Sequence, residues 1–262
     1  MPSLSPRELF ERYAPAVAYV SVELPNGDQA IGTAFHVGEG VFVTARHVVH
    51  GCTILEIATT VQRYVPDESG PVTIHGREGR YRWIPPAVGK VVRGPFFHPD
   101  GQIDIAALVV EGLDCPVIPL GSHLDDWLDD EAFTLAQVVV MGYPPVPQSK
   151  TPVLVTSRAE VNAVIDKYTG GHPQFIVSAM ARGGFSGGPC LIEWDFTLGV
   201  VTESLVGAGA PSELGYLSII SVEPIYVCLA HHKILPADQK DGWEGFWDED
   251  PKSLPCSPSA AA

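Results

Sequence analysis

The sequence predicts an all-β protein, a barrel or a sandwich, with a short helix near each end. Three observations lead there. Short Val/Ile-rich segments recur along most of the chain, Gly and Pro punctuate them (26 and 24 of 262 residues), and stretches of helical periodicity are few. A chain of this length suits one large all-β unit or two small ones.

The elements follow in order. Ser5-Pro6-Arg7-Glu8 reads as a capping box with Pro at the first helical position, which predicts a helix over Pro6 to Tyr13. From Ala16 the pattern becomes β-like: Val17 to Leu24, a turn at Pro25-Asn26-Gly27-Asp28, then Ala30 to Val37. Further strands are predicted at Val41–Thr44, Thr53–Thr59, Thr73–His75, Val88–Val92 and Ile105–Val110. Residues 60 to 87 are less regular and read as surface turns. The acidic stretch from Gly121 to Glu131 reads as a connection. Strands resume at Leu135–Met141, Pro152–Val155, Ala159–Val164, Phe175–Ser178, Pro189–Ile192, Leu198–Val201 and Ser218–Ser221, and a helix closes the series around Val222 to His231. After Leu235 the composition turns to Asp, Glu, Gly, Trp and Pro; residues 236–262 are expected to form an acidic tail, partly disordered and loose beyond Pro251.

Bulk properties exclude several classes. A hydrophobic content of 45% with 18% charged residues supports a real core. The formal net charge of −15 argues against nucleic-acid partners and anionic membrane surfaces, both of which call for clustered Lys and Arg. No apolar run reaches the roughly 18 residues of a membrane span, and the early Arg7, Glu8, Glu11 and Arg12 do not resemble a secretory leader. Five cysteines (Cys52, Cys115, Cys190, Cys228, Cys256), odd in number and without C-x-x-C spacing, argue against a disulfide framework and a zinc site. A reducing, cytoplasmic setting and no cofactor are the expectations.

The chemistry concentrates in Ala181-Arg182-Gly183-Gly184-Phe185-Ser186-Gly187-Gly188-Pro189. A serine set among glycines is what a nucleophile on a tight turn needs: glycines reach dihedrals closed to other residues and leave room for a carbonyl against backbone N–H groups. Thr44-Ala45-Arg46-His47 lies upstream and Asp104-Ile105-Ala106-Ala107-Leu108 between the two. A serine hydroxyl hardly ionises near neutrality, so it needs a base such as imidazole, and the imidazole in turn needs an orienting carboxylate.

These segments, with Gly32-Thr33-Ala34-Phe35, Met141-Gly142-Tyr143-Pro144 and Leu198-Gly199-Val200-Val201-Thr202, fall in the order found in chymotrypsin-fold serine peptidases. Over roughly residues 14 to 232 the chain resembles trypsin-like peptidases of the bacterial kind, with motifs similar to the Deg-type heat-shock proteases. The resemblance implies two packed six-stranded Greek-key β-barrels with short N- and C-terminal helices. The peptidase domain would cover 1–235, with barrel one at about 14–112 and barrel two at about 132–232. It implies a serine endopeptidase with Ser186 as nucleophile, His47 as base and Asp104 as orienter. The oxyanion hole would be built from the N–H groups of Gly184 and Ser186, and the substrate would be a protein or peptide. Met180, Val201, Thr202, Glu203 and Ser204 would frame substrate, with Thr202 supporting Asp104 through its hydroxyl. Met180 stands where a basic specificity would need a carboxylate, so an apolar preference is expected. Phe185 replaces the aspartate that pairs with a newly cut N-terminus in secreted trypsins, so no zymogen cleavage is expected. His98 reads as structural, and His36, His75, His123, His172, His231 and His232 as surface or packing residues. The alternative is a resting binding or sensor module on the same fold.

Overall fold

The computed structural model describes residues 3–66, 72–74, 77–79, 81–121, 133–165, 172–179, 183–206 and 213–241. The capping box forms as its sequence dictates. Helix α1 spans Pro6–Tyr13, the Glu8 N–H donates to Ser5 Oγ (3.3 Å), and the Ser5 N–H donates to Glu8 Oε2 (2.9 Å). Its buried face, Leu9 and Tyr13, enters the core, and the Tyr13 hydroxyl donates to Asp195 Oδ1 (2.7 Å). That bond ties the N-terminal helix to a turn of the second half of the chain.

The first half contains strands β1 (Val17–Glu23), β2 (Gln29–Gly38), β3 (Val41–Thr44) and β4 (Thr53–Thr59), and a one-turn helix α2 (Arg46–Val49) follows β3. Four short strands come next, β5 (Arg63–Pro66), β6 (Val72–Ile74), β7 (Arg77–Gly79) and β8 (Tyr81–Ile84), then β9 (Val88–Phe97) and β10 (Ala106–Glu111). Strands β1, β2, β3, β10, β9 and β4 close into a six-stranded antiparallel barrel. The second half contributes β11 (Gln137–Gly142), β12 (Val155–Ile165), β13 (Gln174–Val177), β14 (Pro189–Ile192), β15 (Phe196–Val206) and β16 (Glu213–Ser221). These close in the order β11, β12, β13, β16, β15, β14. Around each wall the six strands therefore run 1-2-3-6-5-4, the Greek-key connection repeated twice. Helix α3 (Glu223–His231) follows. No helix among the described residues is long and apolar enough to cross a membrane.

Each barrel fills itself with inward-facing side chains, Val20, Phe42, Ile57 and Leu108 in the first, Val138, Val140, Phe175, Phe185 and Ile219 in the second. A third cluster draws on both barrels and on both terminal helices. Phe35, Val43 and Ala107 meet Val139, Met141, Tyr143 and Leu191 there, with Leu9, Tyr226 and Leu229 beside them. This apolar seam is where the barrels join.

Several expectations change. Residues 60–87, read as surface turns apart from the strand at Thr73–His75 that overlaps β6, contain two pairings, β5 with β8 and β6 with β7, of which composition revealed only that one strand. Of the segment predicted at Pro152–Val155 only Val155 is strand; it opens β12, which runs on without a break through Ala159–Val164, exposed Arg158 and Glu160 alternating with buried Ala159 and Val161. Packing also continues past residue 235. Gln239 is buried, its amide donating to Val37 O (2.8 Å) and Ile118 O (3.1 Å) while its carbonyl accepts from the Leu120 N–H (3.0 Å). Residues 236–241 of the segment predicted as a tail are therefore packed in part, and residues 242–262 lie outside the described residues, as do 122–132 of the acidic connection.

Phe42, fully buried in barrel one, sets the expected cost of disturbing a closed barrel. Phe42→Ala is expected to lower unfolding free energy by about 3–5 kcal/mol, measured by urea denaturation; a loss under about 1 kcal/mol would mean that the barrel interior is not packed as described.

Candidate active site

Antiparallel pairing creates the site's first half. Ala106 at the start of β10 lies opposite Thr44 at the end of β3. The residues just before β10 and just after β3 therefore leave the barrel at the same rim, which brings Asp104 and His47 together across 57 positions. Helix α2 holds its place by burying Val48 and Val49, and a Cβ at Gly32 would overlap Val48 Cγ1. Asp104 is held by its neighbours: Ile103 and Ile105 are buried, and the His98 N–H donates to Ile105 O (3.1 Å).

The Asp104 carboxylate takes two hydrogen bonds from one residue. The His47 N–H donates to Oδ1 (2.8 Å), and ring Nδ1 faces Oδ2 (2.7 Å), which fixes Nδ1 as the protonated nitrogen. The hydrogen bond to Asp104, that carboxylate's charge and the charge of Glu203 hold the imidazole above its ordinary value, against burial, which pulls it down. Because the folded pKa is raised, the pair stabilises the fold below about pH 6.5, and that contribution is lost as pH rises through the folded value. His50, the nearby alternative, is exposed and packs edge-on against Phe97.

The second half is the turn 183–188. Gly184 (φ 95°) and Gly187 (φ 86°) occupy left-handed backbone that disfavours side chains. Space forbids them too: a Cβ on Gly187 would overlap Thr33 O and Thr44 Oγ1, and one on Gly184 would overlap Tyr143 O. Phe185, fully buried, anchors the turn in barrel two and cannot serve as an acidic partner. The turn also closes on itself, Gly188 N–H to Phe185 O (2.8 Å). Ser186 is half-buried, and its carbonyl accepts from the Thr33 N–H of β2 (2.9 Å), the strand beside β3. The turn thus meets the barrel-one strands that lead to His47, a Cβ on Gly187 falling 3.0 Å from Ala45 N, while no hydrogen bond among the described residues joins the Ser186 hydroxyl to the His47 ring.

The residues expected to frame substrate separate into distinct roles. Val201 is buried in the barrel-two core, and its backbone clamps the turn: the Gly187 N–H donates to Val201 O (2.8 Å) and the Val201 N–H to Gly188 O (2.9 Å). Thr202 does not support Asp104; it is buried facing β16 and its hydroxyl donates to Ser218 O (3.4 Å). Glu203, the next residue along the strand, is exposed. Ser204 continues the strand opposite Leu217, and Met180 lies outside the described residues. Thr33 is the residue sequence reasoning passed over; its one signal was membership of the Gly32-Thr33-Ala34-Phe35 segment.

The remaining histidines mostly serve the frame. His36 is buried, Nδ1 donating to Pro116 O (2.9 Å) and Nε2 accepting from the Gly40 N–H (3.1 Å). His98 is buried and pushed down to about 4 by that burial, its Nδ1 accepting from the Asp100 N–H (3.1 Å). His172 meets the buried Glu223 (3.3 Å), a partner 51 positions away that no local spacing reveals. His75 and His123 lie outside the described residues. Among the described residues no group of His, Cys, Asp and Glu is placed to hold a metal, and Cys52, Cys115, Cys190 and Cys228 are free thiols.

The family model for the trypsin-like peptidase domain matches residues 32–196, and the chain belongs to that family. No curated protein matches the sequence. Among solved structures, the Rv3671c protease from M. tuberculosis in its active form is similar at TM-score 0.54 and 20% identity, covering 87% of each chain. Its inactive form gives TM-score 0.54 and 20% identity, over 86% of this chain and 92% of that one. The HtrA-type protease AlgW with tripeptide gives TM-score 0.55 and 17% identity, over 90% of this chain and 65% of that one. At these identities the likeness is one of fold, the chymotrypsin-like double barrel.

The raised His47 value depends first on Asp104. In Asp104→Asn the His47 titration midpoint, followed by the ring proton resonance in NMR, is expected to fall below its wild-type position; an unchanged midpoint would mean that the carboxylate does not act on the ring.

Proposed function

We propose that this protein is a serine endopeptidase that cleaves protein or peptide substrates through an acyl-enzyme. The observation that carries the reading is the two-point bond between Asp104 and His47, which leaves ring Nε2 unprotonated and available as a base. In the proposed reaction Ser186 Oγ attacks the scissile carbonyl carbon while His47 Nε2 takes its proton. The carbonyl oxygen becomes an oxyanion that accepts hydrogen bonds from the Gly184 and Ser186 N–H groups. Asp104 stabilises the imidazolium that forms. The intermediate collapses, His47 gives the proton to the leaving amine, and water, deprotonated by the same ring, releases the acyl group. The buried Phe185 supports activity without a zymogen ion pair. The free thiols among the described residues support a reducing, cytoplasmic setting.

A second reading, a resting binding module, is favoured by one observation, the absence of a bond between the Ser186 hydroxyl and His47 among the described residues. Catalytic contacts of this kind commonly tighten only when substrate binds, so the peptidase reading is preferred.

A fluorophosphonate probe decides between them. The wild-type protein is expected to label and Ser186→Ala to remain unlabelled, with peptide turnover lowered by roughly 10⁴-fold to 10⁶-fold. A wild type that never labels supports the module. The raised His47 value also sets the pH profile, because only the neutral ring accepts a proton. Turnover should rise with pH through a midpoint above about 6.5 and hold into mild alkali; a maximum near pH 4 would point to carboxylate chemistry.

A further inference from the structure

Thr33 spends all three of its polar atoms at one point, the junction of the barrels. It is fully buried in β2. Its N–H donates to Ser186 O (2.9 Å), its hydroxyl donates to Gly184 O (2.6 Å) and accepts from the Tyr143 N–H (2.9 Å), and its carbonyl accepts from Thr44 Oγ1 (2.6 Å). Two of the three consecutive carbonyls of the turn, those of Gly184 and Ser186, are therefore bound by a single residue of the other barrel. The third, that of Phe185, is taken by the Gly188 N–H.

Peptide planarity converts these bonds into an orientation for the groups that face the site. In a trans peptide the N–H points opposite the carbonyl, so binding Phe185 O inward turns the Ser186 N–H away from the interior of the turn. Gly184 O shares its peptide plane with the Phe185 N–H, so the bonds to that carbonyl fix the link between the Gly184 and Ser186 N–H groups. A flip of the Gly184–Phe185 peptide would turn Gly184 O away from both donors that reach it, the Thr33 hydroxyl (2.6 Å) and the Tyr143 N–H (3.3 Å). An unmade buried hydrogen bond of this kind is expensive.

We propose that Thr33 is a positioning residue. Its hydroxyl holds the Gly184–Phe185 peptide, the link between the Gly184 and Ser186 N–H groups that would face a substrate carbonyl, and through Thr44 it couples that turn to the strand that leads into His47. The inference rests on the peptidase reading above, and its test separates the two.

Thr33→Val removes the hydroxyl and keeps the shape and the backbone N–H; Thr33→Ser keeps the hydroxyl and gives up the methyl. With thermal melting as the check on folding, Thr33→Val is expected to lower kcat roughly 10-fold to 100-fold with KM within about twofold of wild type. Fluorophosphonate labelling should slow in proportion, and affinity for a peptide aldehyde, whose adduct carries the oxyanion, should fall alongside kcat. Thr33→Ser should recover most of the loss. Wild-type kcat in Thr33→Val, equal impairment of the Val and Ser variants, or an effect confined to KM would each overturn the proposal while leaving the peptidase reading intact. Where Thr33→Val fails to fold, Thr33→Ala against Thr33→Ser asks the same question with the same outcomes. A wild type that neither labels nor binds the aldehyde overturns both.

Discussion

The joining of the two halves of this site depends on hydrogen bonds that cross the seam between two closed barrels. His47 and Asp104 belong to the rim of the first barrel, the Ser186 turn to the second, and a closed sheet has no spare edge through which to pair with its neighbour. Apolar contact between Phe35, Val43, Met141 and Leu191 brings the barrels together. Such contact is non-directional and does not fix the rotation of a peptide. Directionality comes from Thr33 and its bonds to Ser186, Gly184, Tyr143 and Thr44. The Tyr143 hydroxyl adds another tie, donating to Val17 O (3.2 Å) in the first barrel.

Glycine at these crossings is a requirement of space as much as of dihedral angle. Gly187 sits against Thr33 O and Thr44 Oγ1 with no room for a methyl group, and Gly199 sits equally close to Ile220 O on β16. The turn is thus gripped from two sides: β2 takes its carbonyls, and Val201 of β15 takes the Gly187 N–H and donates back to Gly188. Val201 belongs to this support and Thr202 is turned to β16, which leaves Glu203 as the exposed position beside them. Its charge helps to hold the His47 imidazolium, behind the larger effect of Asp104.

Legibility in the sequence followed the range of the interactions. The capping box of Ser5 and Glu8 lies within four residues, and the predicted helix bounds match α1. Strand segments such as Val41–Thr44 and Pro189–Ile192 were readable because alternation and β-branching are local. Residues 63–66 and 81–84 pair only after a long excursion, and their composition gave no sign of it. His172 meeting Glu223, and Gln239 reaching Val37 and Ile118, depend on buried polar groups finding partners far along the chain. No spacing rule encodes such meetings.

The sequence by itself determined the all-β class, the terminal helices and the ordered trio of His47, Asp104 and Ser186 in segments typical of the family. Those properties reside in short motifs, where residue type and backbone preference act together. Tertiary structure decided that Thr202 faces Ser218 instead of Asp104, that Val201 clamps the turn, and that Thr33 joins the two halves of the site. Barrel closure accounts for the division. Which side of a strand faces the core, the rim or the neighbouring barrel is set by strand tilt and register around the whole sheet, and a hydroxyl at Thr33 or Thr202 acquires its partner only when that closed geometry exists.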